Sequence, residues 1–313
     1  MDLFESKIPA SLLVLLGSLI LDLLFGEPPE FFHPVVWMGR MIDSLKGRFG
    51  QFDNRRVSGS LLALTIAFGS GGLIYLLLGF ITVVWKPLAL LAGIYLMKST
   101  ISIKSLLGVA RKVGEKIESD SDLAREELLA LVGRDRSDLS RAEMRSATIE
   151  SLFENLVDSV ITPFFYFFLG SLVDFRVGVT LAVAYKGINT VDSMLGYKTG
   201  DLLDFGFFGA RFDDLLNWLP SRFAIWFIAL GAFSPWPAVV AFKEWDATPS
   251  PNSGWPMAAA AGALKVKLVK RDTYTLGPEY DLPGSGDLNK ALSLAGRAIG
   301  FYIFLLFALL FVF

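Results

Sequence analysis

Long apolar runs alternate with short polar loops along most of the chain. Runs of roughly 17–28 residues carry almost no charge, and segments of this length match the hydrocarbon thickness of a bilayer. The sequence therefore predicts clear membrane spans at about 8–25, 57–85, 88–103 and 294–313.

Two further apolar stretches are interrupted. Residues 160–185 carry Asp174 and Arg176 near their middle, and residues 223–242 are broken at Ser234-Pro235-Trp236-Pro237. Each could be one long span or two short helices folded into a hairpin. We favour hairpins or broken helices, because these keep every polar motif on one side of the bilayer. Irregular backbone at such depth persists only where protein or water surrounds it.

The segment at about 105–147 has a different pattern, charged and amphipathic. Val109, Val113 and Ile117 recur at helical spacing, which predicts helices with one apolar face.

Basic residues are concentrated in the loop after the first span, whereas one lysine precedes that span, so the positive-inside rule places this loop in the cytoplasm and the N-terminus outside. These basic residues are Arg40, Lys46, Arg48, Arg55 and Arg56.

The predicted fold is all-α. It is a polytopic membrane helical bundle with broken or re-entrant helices and a cytoplasmic amphipathic helical segment, in a single membrane domain over 1–313. Composition agrees, since 53% of the residues are hydrophobic, 27 are Phe and the mean hydropathy is +0.51. Soluble domains are about 45–50% apolar.

Charge and residue usage exclude several classes of function. A net charge of −2 gives no strongly basic surface for nucleic acid. The chain has no Cys and one His, which excludes thiolate sites and argues against zinc sites and Ser-His-Asp triads. Any metal would be bound by oxygen atoms, which favours magnesium.

An acidic stripe lies just before the interrupted apolar stretch at 160–185. Glu150, Glu154 and Asp158 recur every four residues, so a regular helix would place them on one face. Carboxylates at a membrane boundary are costly unless they face water or a cation. The alternative is a solvated polar face on an interfacial helix.

Two more polar clusters follow. Residues 186–198 combine an amide, a carboxylate, hydroxyls and two cations. In the next cluster, Asp213 or Asp214 could bind one divalent cation together with Asn217 from a helix face. The alternatives for this cluster are an interfacial helix with a Trp anchor, or an N-cap pair.

The fourth cluster is the loop Ser250-Pro251-Asn252-Ser253-Gly254-Trp255-Pro256, which precedes a run of small residues. Such a helix start can offer free backbone N–H groups to phosphate or carboxylate, although as an isolated pattern it is also typical of a simple turn. His33, next to Pro34, is compatible with a structural role or with a base. No phosphate-binding Gly-rich motif is present.

Taken in order, these blocks resemble the adenosylcobinamide-phosphate synthase family of cobalamin biosynthesis, a family of integral membrane enzymes. Three departures stand out: Glu27 where the family usually has Asp, Arg136 where it has Thr, and Met257 where it has Glu. The last removes a carboxylate, so the helix after Pro256 is left out of the predicted catalytic site. The matching blocks are 21–29 with 33–35, 132–135, 150–158, 189–197, 210–217 and 250–254.

The resemblance implies that adenosylcobyric acid and aminopropanol phosphate are joined by an amide bond, with ATP as co-substrate and magnesium as cofactor. The implied catalytic residues are Glu150, Glu154, Asp158, Asp192 and Asp214, and the implied metal ligands are Glu154, Asp158, Asp213 and Asp214. The implied substrate-binding residues are His33, Arg134, Asn155, Lys186, Asn189, Ser193, Tyr197, Lys198, Arg211, Asn217, Ser250 and Asn252.

Two other functions remain open. An intramembrane prenyltransferase would use aspartate-bound magnesium pyrophosphate, and an ion-coupled transporter would use buried carboxylates as an ion path. For the ligase, we expect the acidic clusters to converge at one wet pocket facing the cytoplasm, in the inner membrane of the cell. The expected partners are the corrinoid, the amine phosphate and the lipid bilayer, with no nucleic acid, and a homo-oligomer is among the alternatives.

Overall fold

The computed structural model describes residues 7–50, 52–128, 139–196 and 202–312. They form two compact units. Unit 1 comprises the described residues of Met1–Ser102, Thr162–Leu216 and Leu305–Phe313, and unit 2 those of Ile103–Ile161 and Asn217–Phe304. Three predicted site residues, Arg134, Tyr197 and Lys198, lie outside the described residues, as does the whole block 132–135.

The described chain is almost entirely helical. The α-helices are α1 (Lys7–Phe25), α2 (Pro34–Phe49), α3 (Arg55–Val84), α4 (Lys86–Lys98), α5 (Ile103–Ser119), α6 (Ser121–Glu127), α7 (Arg141–Leu156), α8 (Thr162–Ser171), α9 (Phe175–Leu195), α10 (Leu202–Phe205), α11 (Phe207–Gly231), α12 (Trp236–Glu244), α13 (Gly254–Leu264) and α14 (Asp287–Val312). Short 3-10 turns occupy Glu30–Phe32 and Trp245–Ala247, and a π-helical turn occupies Val157–Ile161.

The helical content and the long apolar helices confirm the prediction of an all-α polytopic membrane protein. In the described residues, four helical runs are long and apolar enough to cross a membrane: Arg55–Val84, Lys86–Ser119, Arg141–Ser171 and Asp287–Val312. A shorter apolar helix covers Ala10–Phe25. On α3, large apolar side chains such as Phe68, Leu76 and Val83 point outward, as expected where lipid surrounds the helix.

In unit 1, α3 and α9 pack side by side over an apolar core. Leu62 and Ile66 of α3 meet Ile188 and Val191 of α9 in this core, and all four are at most 1% exposed. Helices α1 and α4 form a second pair. Because Ile188 and Val191 are held in this core, the direction of the α9 face that carries Lys186 and Asn189 is also fixed.

Helices α8 and α9 form a hairpin with a short turn at residues 172–174. Their backbones meet at two glycines: a Cβ added to Gly170 would lie 2.6 Å from the Cα of Gly178. No side chain fits between the helices there, so the close approach requires glycine.

In unit 2, the amphipathic segment folds as helices α5, α6 and α7. Val113, Ile117, Ala124 and Met144 form their shared core, and Val109 packs against it. The predicted apolar face of this segment is therefore the face that is buried.

A small antiparallel hairpin in unit 2 was not predicted. It pairs β1 (Leu268–Lys270) with β2 (Tyr274–Leu276), and Asp272 in its turn adopts a positive φ of 57°. Three-residue strands are too short to give an alternating pattern that the sequence would reveal. The hairpin matters because Tyr274 reaches the predicted acidic stripe.

Candidate functional site

Glu150 is a buried carboxylate with two hydroxyl donors. Its Oε1 accepts a hydrogen bond from Ser146 at 2.7 Å, and its Oε2 accepts one from Tyr274 at 2.6 Å. Ser146 in turn accepts the backbone N–H of Val269 at 2.8 Å. With 4% of its surface exposed, Glu150 connects α7 to both strands of the hairpin.

The other two members of the stripe have different surroundings. Glu154 is exposed, whereas Asp158 is half-buried and lies in the π-helical turn. A π turn contains more residues than an α turn, so it shifts Asp158 from the position that regular four-residue spacing would give it. Such turns occur frequently at functional sites. The three carboxylates therefore do not form one uniform face.

Asn155 is held within its own helix. Its Nδ2 donates to the Ser151 carbonyl at 2.9 Å and to the Ser151 hydroxyl at 3.1 Å. Both bonds use the amide NH2 group of Asn155, so its side-chain oxygen can still accept a hydrogen bond from another donor.

Unit 1 brings the second and third predicted clusters together. Lys186 Nζ donates to Asn189 Oδ1 at 3.0 Å, and Asn189 Nδ2 donates to Asp213 Oδ1 at 3.2 Å. Asp213 is 8% exposed. A cation, an amide and a carboxylate from α9 and α11 thus form one connected polar group.

Neighbouring predicted residues of unit 1 lie nearer the surface. Arg211 NH1 is 3.5 Å from Asp214 Oδ2, with 65% of the arginine side chain exposed. Ser193 donates its hydroxyl to the Thr190 carbonyl at 3.0 Å, and Asp192 is half-buried. Asp192 and Asp214 are therefore more accessible to a solute than Asp213.

In unit 2, the predicted residue Asn217 lies on α11, and the predicted residues Ser250 and Asn252 lie in the polar loop before α13. Asn217 is 2% exposed and Asn252 is 7% exposed. The Ser250 hydroxyl accepts the backbone N–H groups of Asn252 and Ser253 at 3.2 and 3.3 Å. These bonds give the loop a defined conformation before α13 begins.

His33 belongs to a partly buried ionic network of unit 1. Lys98 Nζ lies 3.2 Å from Asp22 Oδ1 and 3.1 Å from Glu27 Oε2, and His33 Nε2 lies 2.9 Å from the same Glu27 oxygen. Lys98 is 2% exposed and Asp22 is fully buried. Of these four residues, His33 was a predicted site residue, whereas Asp22, Glu27 and Lys98 were not. Charges at the ends of apolar spans are nevertheless a signal of function.

Hydrogen bonds lower the pKa of Glu27 and fix the position of the proton on the His33 ring. Burial opposes ionisation of Glu27, but hydrogen bonds from His33, Ser102 and Lys98 outweigh it and lower the pKa of this carboxyl to about 2. His33 Nδ1 accepts the backbone N–H of Val35 at 3.2 Å, which caps α2. Its proton must therefore be on Nε2, donated to Glu27, so His33 has no free nitrogen with which to act as a base.

The predicted magnesium site requires carboxylates that lie close together. Within the described residues, no group of three or more His, Asp or Glu side chains gathers around one point. Magnesium usually keeps several waters and takes only one or two carboxylates together with substrate phosphates. Neighbouring residues of a helix do not face each other, so Asp213 and Asp214 of α11 are separate candidate ligands for such an ion. A cage made of protein ligands alone does not fit the described residues.

A protein-family model described as CobD/Cbib protein matches residues 15–298. The chain belongs to the CobD/Cbib family. The matched span includes every predicted site residue, from His33 to Asn252. No solved structure matches the chain.

Several curated relatives match this CobD/Cbib chain over most of their own length. A probable cobalamin biosynthesis protein CobD of Methanothrix thermoacetophila is 40% identical over 304 residues, with 93% of each chain covered. One of Methanothermobacter thermautotrophicus is 39% identical, over 91% of this chain and 93% of the relative. A cobalamin biosynthesis protein CobD of Synechocystis is 36% identical, over 91% of this chain and 85% of the relative.

Proposed function

We propose that the protein is a cobalamin biosynthesis enzyme of the membrane that joins adenosylcobyric acid and aminopropanol phosphate through an amide bond. Membership of the CobD/Cbib family over residues 15–298 carries the assignment to cobalamin biosynthesis. The connected group of Lys186, Asn189 and Asp213 supports the amide-forming chemistry.

The reaction needs an activated carboxylate, since hydroxide is a poor leaving group. A propionate oxygen of the corrinoid attacks the γ-phosphorus of ATP, and ADP leaves. The amine nitrogen then attacks the acyl phosphate, inorganic phosphate leaves, and the nitrogen gives up a proton. Bound magnesium would neutralise phosphate charge in both steps.

The residues of unit 1 suit distinct parts of this chemistry. Lys186 and Arg211 supply cations for phosphate or propionate oxygens. Asp213 and Asp214 would hold the metal, and the half-buried Asp192 would accept the proton from the amine. We place this site on the cytoplasmic side of the membrane, in agreement with the basic residues between the first two spans. Of these, Arg40, Lys46 and Arg48 lie on α2, and Arg55 and Arg56 begin α3.

The first test is formation of the joined product. Detergent-purified protein is incubated with adenosylcobyric acid, aminopropanol phosphate, ATP and magnesium, and the product is measured by mass spectrometry. Asp192→Asn and Asp214→Asn should each lower the rate at least about a hundredfold, the scale of a lost general base or metal ligand.

Asp246→Asn is the matched control, because Asp246 is an exposed aspartate outside the predicted site, and it should leave the rate unchanged. Wild-type rates in both site variants would remove these residues from the site. ATP consumption that depends on the corrinoid would distinguish the ligase from a prenyltransferase and from a transporter.

A further inference from the structure

A cleft of about 460 Å³ lies beside the first half of α14 in unit 2. Its walls come from the residue after α11, the last turn of α13 and one face of α14. This volume is within the usual range for small-ligand sites. The described polar residues that line it are Asn289, Lys290, Ser293 and Arg297. Its described lining therefore has two cations and no carboxylate.

Arg297 is a charged residue within the candidate membrane span Asp287–Val312. Its Nε donates to the Gly231 carbonyl at 2.6 Å, and its Cζ lies 5.9 Å from the ring centre of Phe233. Among the described residues, no carboxylate forms an ion pair with Arg297. The Nε bond orients the guanidinium and leaves its two NH2 groups for a ligand. Ionisable residues within membrane spans are uncommon and usually functional.

The carbonyl that orients Arg297 is itself held against α14. A Cβ added to Gly231 would lie 3.2 Å from the backbone nitrogen of Ala298 and 3.2 Å from the Leu294 carbonyl oxygen. The end of α11 therefore contacts the backbone of α14 with no side chain between them. A guanidinium held in this way loses little entropy when a ligand binds, so it contributes more to the affinity.

One exposed face of α14 changes from cationic to apolar. Lys290, Arg297 and Phe304 follow one another at intervals of seven residues, which is about two helical turns, so they share this face. The two cations are separated by about 10 Å along the helix axis. Phe304 is 71% exposed, and Phe233 beside Arg297 is 77% exposed. Residues 298–312 carry no charge, so the cations lie where the helix enters its apolar segment, as lipid headgroups do above their acyl chains.

The charges around the cleft are positive in sum. Lys290 Nζ donates to Asp287 Oδ1 at 2.8 Å, so one carboxylate adjoins the cleft. Lys265, which follows the lining residue Leu264, is an exposed cation. Together with Arg297 the cations outnumber this carboxylate. The last turn of α13 has carbonyl oxygens without helical partners, which can accept hydroxyl donors. An occupant with a negative charge and hydroxyl groups suits these surroundings.

We propose that this cleft binds the headgroup of an anionic phospholipid, with the phosphate at Arg297 and Lys290 and the acyl chains along Phe304 and Phe233. The planar guanidinium of arginine matches two phosphate oxygens at once. A soluble phosphate has the same charge, but it has no apolar part to cover the exposed rings. The proposal goes beyond the proposed function and does not depend on it.

Lipid binding is measured by native mass spectrometry on the full-length protein in neutral detergent, titrated separately with phosphatidylglycerol and phosphatidylcholine. The wild type should bind phosphatidylglycerol at least about fivefold more tightly than phosphatidylcholine, and Arg297→Gln should weaken phosphatidylglycerol binding about fivefold or more. This is the scale of one cation near an anionic membrane surface. Equal affinity of the wild type for the two lipids, or unchanged phosphatidylglycerol binding by Arg297→Gln, would overturn the proposal.

Arg222→Gln is the matched control. Arg222 is another arginine of unit 2 that donates to a backbone carbonyl, that of Trp218 at 2.5 Å, and lies over a ring, 4.3 Å from the centre of the Trp218 indole. It is not among the residues that line the cleft. Its loss should leave the affinity for phosphatidylglycerol within about twofold of wild type. Equal weakening by Arg222→Gln and Arg297→Gln would show that the cleft is not the binding site.

A second measurement needs no variant. Wild-type protein in nanodiscs of phosphatidylglycerol or of phosphatidylcholine is treated with phenylglyoxal, which modifies accessible arginines, and peptide mapping by mass spectrometry reports Arg297. Phosphatidylglycerol should slow its modification several-fold relative to phosphatidylcholine. Glycerol 3-phosphate added to the phosphatidylcholine nanodiscs should leave the rate unchanged. Equal rates in the two lipids, or equal protection by glycerol 3-phosphate and phosphatidylglycerol, would contradict a lipid site.

Discussion

Among single residues, Lys98 is a cation in a buried environment. It is 2% exposed and bridges a fully buried Asp22 to Glu27. Desolvation of two buried charges costs several kcal/mol, which their attraction offsets only when the geometry is good and both partners are present. Removal of the lysine alone would take this cation away from the fully buried carboxylate of Asp22.

We therefore predict that Lys98→Met destabilises the protein by about 3–5 kcal/mol, the cost of breaking a buried ion pair. Lys290→Met is the control, since Lys290 pairs with Asp287 at 2.8 Å but is 68% exposed, and its loss should cost less than about 1 kcal/mol. Thermal unfolding in detergent gives the comparison. Similar midpoints for the two variants would show that Lys98 does not stabilise the fold as an ion pair.

The ionisation of Glu27 makes the stabilisation from the same network depend on pH. Its pKa is lowered from 4.5 to about 2 by donors that outweigh the opposing effect of burial. Because the folded pKa lies below the unfolded one, the stabilisation is complete above about pH 4.5 and is lost as the pH falls toward 2.

We estimate its size as about 1–3 kcal/mol, after allowance for solvent screening. The difference in unfolding midpoint between wild type and Glu27→Gln should be largest at neutral pH and disappear near pH 2. A difference that stays constant from pH 7 to pH 2.5 would contradict this assignment.

Among the structural elements, the hairpin of α8 and α9 depends on two glycines where its helices meet. A Cβ added to Gly178 would lie 2.5 Å from Ser171 Oγ and 2.6 Å from the Phe167 carbonyl oxygen. The carbonyl belongs to the backbone of α8, so it cannot turn aside as a side chain could. The two helices would have to separate to accommodate a methyl group.

Gly178→Ala should accordingly destabilise the protein by about 1–3 kcal/mol, the usual cost of overpacking. Gly72→Ala on α3 is the control, because a Cβ there would meet nothing within 4 Å, and alanine also favours a helix. Both variants can be followed by thermal unfolding. A neutral Gly178→Ala would mean that the hairpin tolerates a wider spacing.

The sequence predicted those elements whose signal is local. The interruptions near Asp174 and at residues 234–237 lie where the structure turns between helices, because charge and proline interrupt an apolar helix without help from distant residues. The π-helical turn at Asp158 has no comparable local signal. Its presence depends on tertiary packing, so four-residue spacing alone suggested a regular stripe.

For the whole molecule, apolar run length was sufficient to predict a helical membrane protein, because the bilayer imposes that length on each span. The division into two units was not predictable, since it depends on contacts between distant segments. Asp192 and Asp213 belong to unit 1, whereas Asp158 and Asn252 belong to unit 2. Convergence of all four on one pocket stays a prediction.

The capping bond of His33 also supplies a spectroscopic probe. The chain contains one histidine, and both of its ring nitrogens are engaged, one by Val35 and the other by Glu27. Selective isotope labelling of histidine would give a single imidazole signal that requires no assignment. Its nitrogen chemical shifts would report directly whether a corrinoid or nucleotide disturbs the first loop during turnover.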